Sequence, residues 1–300
     1  MTFCTKLSAL ASATLLCAAP SYAAIACSTV TATSVNGIYT RTVALNQTGS
    51  ITVTCTRLAT DPTTQVIYIG VDQGEPPAGR NMTRQTGTEL LAYRIYRNAT
   101  PSGSWSTGAG RAAGSTAAGG FQPTFTFASA TTTVQSTVYP YYFNVAVNIT
   151  KPAGIYDDEL VGVTVRLTNN AGAVQSTTTF SVNASIQAEC RFSTSPTAIA
   201  LAYNAFAASA VSAYSPFAVS CTQGTSYGIS LDVSSEVLLG LKYDLLLVGA
   251  ATDTALASSL SGTGFAQSYR VKGSIVAGQA GSCATGTCTA SATRALTITY

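Results

Sequence analysis

Residues Thr177-Thr178-Thr179-Phe180-Ser181-Val182-Asn183-Ala184-Ser185-Ile186-Gln187-Ala188-Glu189-Cys190 divide the chain into two comparable halves. Phe180, Val182, Ala184 and Ile186 alternate with Ser181, Asn183 and Ser185, the period-two pattern of a strand with one buried face. The first half therefore ends on a strand. The second half stops at Leu296-Thr297-Ile298-Thr299-Tyr300 with nothing comparable after it. If the halves share a fold, the first owns a closing strand that the second lacks.

Upstream of this stretch the same period recurs. Ser50 to Thr56, Val66 to Val71, Leu90 to Tyr96, Phe121 to Ala128, Tyr141 to Ile149 and Leu160 to Leu167 all read as strands. Turn-rich segments separate them: Asp72 to Gly79, the Gly/Ser/Ala/Thr stretch Asn98 to Gly120 with the only Trp, Trp105, and Lys151-Pro152-Ala153-Gly154-Ile155-Tyr156. In the last, Pro fixes one φ and Gly permits a positive one. A loop as long as Asn98 to Gly120 within a domain is either functional or disordered. Downstream, Phe217 to Thr222 answers the strand around Cys55, Tyr227 to Val233 answers Val66 to Val71, and Leu241 to Leu245 answers Leu91 to Ile95. This repetition indicates an internal duplication.

The first residues carry Lys6, an apolar run from Leu7 to Ala19, and Ser21-Tyr22-Ala23. This is the pattern of an export signal, residues 1–23, cut after Ala23; the run is too short to span a bilayer, which takes about 20 apolar residues. Cys4 and Cys17 leave with the signal. Cys27, Cys55, Cys190, Cys221, Cys283 and Cys288 remain, an even set that in an exported chain argues for disulfides. The nearly equal spacings predict Cys27 with Cys55 and Cys190 with Cys221, leaving Cys283 and Cys288 as a local ring. A metal site at that ring would need two more ligands, and the chain has no His.

Three hundred residues accommodate two ordinary domains. Charged residues make up 9% of the chain and the net charge is +3, which excludes strong electrostatic attraction to nucleic acid or anionic lipid. The absence of His removes the common nucleophile triads and most zinc and haem sites. In the one acidic cluster, Asp157-Asp158-Glu159, a strand places Asp157 and Glu159 on one face and Asp158 on the other, so the trio reads as solvated residues at a strand start. The sequence therefore predicts neither an enzyme nor a cofactor. Five Asn-x-Ser/Thr triplets, at Asn46, Asn81, Asn98, Asn148 and Asn183, match the glycosylation sequon in a chain rich in Ser and Thr.

The Cys near each start, the Val-x-Cys-Thr strand ends, the Leu-x-Tyr-x-Leu/Ile strands and Trp105-Ser106 together form a pattern. With Pro152-Ala153-Gly154-Ile155-Tyr156-Asp157-Asp158 and Val161-Gly162-Val163-Thr164-Val165, it resembles the spore coat protein U domain. Val276-Ala277-Gly278-Gln279 continues the resemblance in the second half, where the Cys283 to Cys288 ring replaces the Pro-Ala-Gly-x-Tyr turn. That family includes subunits of archaic chaperone-usher pilus fibres. The resemblance implies a bacterial protein whose sequons stay bare, delivered by a periplasmic chaperone, assembled by an outer-membrane usher and exported to the pilus tip at the cell surface.

The expected fold is all-β, with two immunoglobulin-like β-sandwich domains, an adhesin domain at 24–186 and a pilin domain at 187–300 that lacks its final strand. A sandwich without an edge strand exposes core and unpaired backbone and takes a strand from a partner, here the next pilin subunit. Leu296, Ile298 and Tyr300 are the expected acceptor edge. After cleavage only Ala24, Ile25 and Ala26 would precede Cys27, too few to donate a strand, which suits a terminating subunit; a non-fimbrial coat or biofilm protein of the same fold is the alternative. Strand directions place the loops Val138-Tyr139-Pro140 and Ala171 to Val174 at the pole farthest from the second domain. Val138, Tyr139, Pro140, Ala171, Ala173 and Val174 are thus the candidate surface-binding residues, for a ligand of unspecified type.

Overall fold

In a computed structural model of the chain, residues 25–40, 43–71, 80–99, 105, 120–147, 150–169, 172–283 and 286–300 are described. The expected signal, the Asp72 to Gly79 turn, most of the Asn98 to Gly120 stretch, Asn148 and Ala171 lie outside them. All regular structure is β. The first half contains β1 (Ala26–Ala32), β2 (Val35–Tyr39), β3 (Leu45–Thr56), β4 (Thr64–Val71), β5 (Asn81–Arg84), β6 (Leu90–Ala92) and β7 (Arg94–Tyr96). It continues with β8 (Thr124–Thr126), β9 (Val134–Val145), β10 (Gly154–Leu167) and β11 (Val174–Ile186). The second half contains β12 (Cys190–Thr194), β13 (Val211–Cys221), β14 (Ser226–Leu231), β15 (Ser235–Leu238), β16 (Leu241–Gly249), β17 (Leu260–Ser261), β18 (Ala266–Ile275) and β19 (Leu296–Thr299).

Each half is an immunoglobulin-like sandwich of two sheets. In the first, β1-β3-β9-β7 faces β2-β11-β10-β4-β8, with β5 joining β10 and β6. In the second, β12-β13-β18-β16-β15 faces β17-β14-β19. Inward-pointing residues of the two first-half sheets form one continuous core, including Ile51, Val53, Ile67, Ile69, Tyr141, Phe143, Val163, Val165 and Val182. Among the described residues, no named strand of one half pairs with a strand of the other. A single parallel bridge, Pro152 to Gln223, joins them.

The closing strand β11 is held on both sides. It pairs antiparallel with β10 from Gly154↔Ile186 to Arg166↔Val174, and parallel with β2 from Val182↔Val35 to Ile186↔Tyr39. Phe180, Val182, Ala184 and Ile186 are buried, the face that the alternation marks.

Several strands differ from the sequence reading: β3 begins at Leu45 rather than Ser50 and β10 at Gly154 rather than Leu160. Leu90 to Tyr96 breaks at Tyr93 because the chain changes sheets there: β6 pairs with β5, and β7 pairs with β9 in the opposite sheet. Of the expected strand Phe121 to Ala128 only Thr124–Thr126 forms a ladder, with Phe121 held by an isolated bridge to Ile69. β9 begins at Val134, not Tyr141, and pairs with β3 along its whole length. Its first residues, Val134-Gln135-Ser136-Thr137, are mostly polar, so the apolar alternation hides them. Pro140 is tolerated because β7 reaches only to Tyr142, so that among the described residues β9 has a strand neighbour on one side there.

Disulfides join Cys27 to Cys55, Cys190 to Cys221 and Cys283 to Cys288. The first two tie the opening strand of each half to its central strand, at Ala26↔Thr56 and Cys190↔Cys221 of the ladders. Replacing both Cys190 and Cys221 by Ser should destabilise the second half by roughly 3.5 kcal/mol, the loop-entropy value for a ring of this length. A lower denaturant midpoint for the second half, with that of the first unchanged, checks this.

Candidate functional site

The two sandwiches differ most at one sheet edge. In the first, β10 lies between β4 and β11, and Val161, Val163 and Val165 are at most 1% exposed. In the second, β19 pairs with β14 through Leu231↔Leu296, Ser230↔Thr297, Ile229↔Ile298 and Gly228↔Thr299. Among the described residues its other edge has no partner. Leu296 and Ile298 are consequently half-buried, and Tyr300 is 65% exposed.

The core beneath that edge is open in the same measure. The buried cluster of the second half is limited to Phe217, Val219, Cys221, Tyr227, Tyr269 and Val271, while Ile199, Ile229, Leu231, Leu245 and Leu247 pack against it only half-buried. Burial has pushed the Tyr227 hydroxyl well above the ordinary tyrosine range; it shares a 2.6 Å hydrogen bond with the Tyr269 hydroxyl.

The segment 195–203 follows β12 as β2 follows β1, and its Ile199 packs against the same buried cluster as Leu296 and Ile298. Ile199, Leu201 and Tyr203 are half-buried and alternate with exposed Ala198, Ala200 and Ala202, yet the segment joins no ladder. It is pinned at two points. The Thr197 amide donates to Ser215 Oγ at 2.7 Å, and Tyr203 Oη accepts the Gln279 amide at 2.8 Å. Between them Ile199 packs on β18, where a Cβ at Gly273 would stand 3.1 Å from Ile199 Cγ2. Arg294, just before β19, donates to Tyr243 Oη at 2.8 Å and pairs with Glu236, so β15 and β16 fix where β19 starts.

The distal loops require a correction. Val138, Tyr139 and Pro140 are not at a strand entrance but within β9, where Ile51↔Tyr139 is a ladder pair. Tyr139 is 8% exposed, its ring edge-on to Phe121. Val138 is exposed, but on the outer face of the sheet rather than in a loop. Ala173 and Val174 are exposed at the start of β11. Ser176 Oγ donates to the Cys27 carbonyl at 2.9 Å, which puts this pole beside the Cys27–Cys55 bridge, the loop after β3 and the entrance of β9. Leu58 and Val134, each 57% exposed, lie there.

The acidic trio also departs from its reading as a solvated group. Asp158 is buried and accepts the Tyr93 hydroxyl at 2.9 Å, because a bulge follows it in the β10–β11 ladder. Asp157 accepts from Gln85 at 2.5 Å on the other face. Among the described residues no group of three or more His, Cys, Asp or Glu could hold a metal ion. Trp105 is core: its indole donates to the Ile69 carbonyl at 3.1 Å, and its own carbonyl accepts the buried Arg80 guanidinium at 2.6 Å.

The segment read as a turn from Pro152 to Tyr156 becomes strand at Gly154, which pairs with Ile186 and takes φ +145°; Tyr156 Oη donates back to the Pro152 carbonyl at 2.9 Å. Burial pushes the Tyr156 hydroxyl up to about 12, so it stays a donor at neutral pH. This turn and the paired sandwiches match the family model of the Spore Coat Protein U domain, over residues 12–164 and 176–240. The chain belongs to that family. The match takes in the first sandwich apart from residues 165–175, and the second as far as the turn between β15 and β16.

No curated protein matches the chain. Among solved structures, it is similar to a chain of the complex between the CsuC chaperone and the CsuE tip adhesion subunit, from the archaic chaperone-usher Csu pili of Acinetobacter baumannii. Identity is 12%, coverage is 92% of this chain and 99% of that one, and the TM-score is 0.42. Of the residues expected to form an acceptor edge, Leu296 and Ile298 lie half-buried on β19 and Tyr300 is exposed just after it. The alternation of Ile199, Leu201 and Tyr203 is legible in the sequence, but the sequence reading does not include it in the second half's core.

Proposed function

We propose that this chain is the tip subunit of a chaperone-usher pilus, with an adhesin domain at 24–186 and a pilin domain at 187–300 completed by a strand donated in trans. The observation that carries the reading is the contrast between β10, closed by β11, and β19, open beside a half-buried core. An open edge with apolar residues beneath it is the arrangement that β-augmentation completes. The periplasmic chaperone would hold the groove first, the outer-membrane usher would catalyse the exchange, and the next pilin would supply the final strand. The first sandwich, closed by its own strand, is free to bind. Its free pole carries Leu58, Val134, Ala173 and Val174, and the reading assigns attachment to surfaces, and through it biofilm formation, to that pole.

Export of the full chain together with a chaperone of an archaic pilus should yield a stable complex of the two. A version whose groove is filled by a fused strand should not bind the chaperone. Recovery of the unmodified chain as a stable monomer, with the β19 amides protected from exchange in the absence of any partner, would overturn the proposal. It would favour a self-sufficient coat protein instead.

A further inference from the structure

Arg57 is 5% exposed at the free pole of the first sandwich, and its guanidinium is spent entirely on backbone carbonyls. Nε donates to Thr132 O at 2.9 Å. Nη1 donates to Leu58 O at 3.1 Å, Ala59 O at 3.4 Å and Asp61 O at 2.6 Å. Nη2 donates to Ser129 O at 3.0 Å and Ala130 O at 2.5 Å. The Phe127 ring closes the other side, 5.1 Å from the guanidinium carbon. A guanidinium has five N–H donors in a rigid plane, and here all of them bind two separate loops, 57–63 and 127–133. The Asp61 carboxylate does not answer the charge; it accepts the Leu58 amide at 2.7 Å.

The repeat supplies an internal comparison. Cys55-Thr56-Arg57 corresponds to Cys221-Thr222-Gln223, and Gln223 is the residue bridged to Pro152 of the first sandwich. The same pole is thus a contact surface in the second sandwich, where the turn is short and has no arginine. In the first, no described residue of the second sandwich bridges to it, its loops are longer, and one buried cation joins them. Above that cation stand Leu58, Ala59, Ala130 and Val134, all exposed and uncharged.

We propose that Arg57 is the positioning residue of the adhesive pole. Its guanidinium joins the two loops into one preformed platform, and attachment depends on that rigidity as well as on the apolar side chains it displays. The inference rests on the reading of this pole as the adhesive one. Preformed loops bind without a further ordering cost. A lysine, with three donors on a flexible stem, cannot span both loops.

Hydrogen exchange on the full chain, and attachment to polystyrene of cells displaying it, test the proposal together. In the wild type the amides of Leu58, Asp61 and Thr132 should exchange as slowly as those of neighbouring strands. Arg57→Lys, or Arg57→Gln to copy the other repeat, should speed them by about tenfold or more while leaving β13 and β18 unchanged, and should cut attachment severalfold. Leu58→Asp with Val134→Asp should cut attachment as far while leaving loop exchange slow. Fast loop exchange in the wild type overturns the proposal, as does slow exchange in the Arg57 variants. Loosened loops with undiminished attachment, where the aspartate pair does lose it, overturn it too while leaving the adhesive pole standing. Undiminished attachment in the aspartate pair overturns the adhesive-pole reading and this proposal with it.

Discussion

A copy of Val174 to Ile186 fused after Tyr300 through a short flexible linker is expected to stabilise the second sandwich by at least about 3 kcal/mol. Four inward side chains equivalent to Phe180, Val182, Ala184 and Ile186 would contribute roughly 6 to 10 kcal/mol of apolar burial, offset in part by the entropy of ordering the added strand. Further gain comes from Leu296, Ile298, Ile199 and Leu231, which are half-buried without it. The segment 195–203 should then form a ladder parallel to the new strand, as β2 does with β11. Exchange of the amides at 198–202 and 296–299 and the denaturant midpoint of the second half report the effect. Equal midpoints with and without the fused strand would sink the idea that this sandwich is incomplete.

The complementary result is expected in the first sandwich. Val182→Asp should cost more than about 4 kcal/mol, the scale of an uncompensated buried charge. Val182 is fully buried between β10 and β2, opposite Val35 and Asp158. Cross-strand partners share a face, so the new carboxylate would stand beside that of Asp158, which is itself buried on Tyr93. Two carboxylates cannot both ionise there cheaply. Val182→Ile, which keeps the chemistry and adds one methylene, should cost no more than about 1 to 3 kcal/mol. In the strand-fused chain the aspartate variant should lose the first unfolding transition and keep the second. Retention of both transitions would mean that β11 is not what closes the first sandwich.

The comparison of Val161 to Leu167 with Leu296 to Thr299 separates what the sequence determines from what the tertiary structure decides. The two segments alternate alike, and the alternation marks strand and buried face, because side chains in a strand point to opposite sides with period two. The cysteine spacing and the repeated strand grammar likewise made two β domains legible from the residues alone, and the family resemblance implied their sandwich form. Depth of burial was not legible, since it belongs to the neighbour: Val163 is covered because β11 lies beside it, and Ile298 is half-exposed because, among the described residues, no strand lies on that side of β19.

The same cause accounts for the other differences. Val134 to Thr137 is polar and still a strand, since β3 offers it a ladder. Tyr139 reads as a loop aromatic and is core, since Ile51 and Phe121 enclose it. Asp158 reads as solvated and is buried, since a bulge follows it. Arg57 carried no signal at all, because its six partners are carbonyl oxygens, which every residue has, and only the folded chain brings them to one guanidinium.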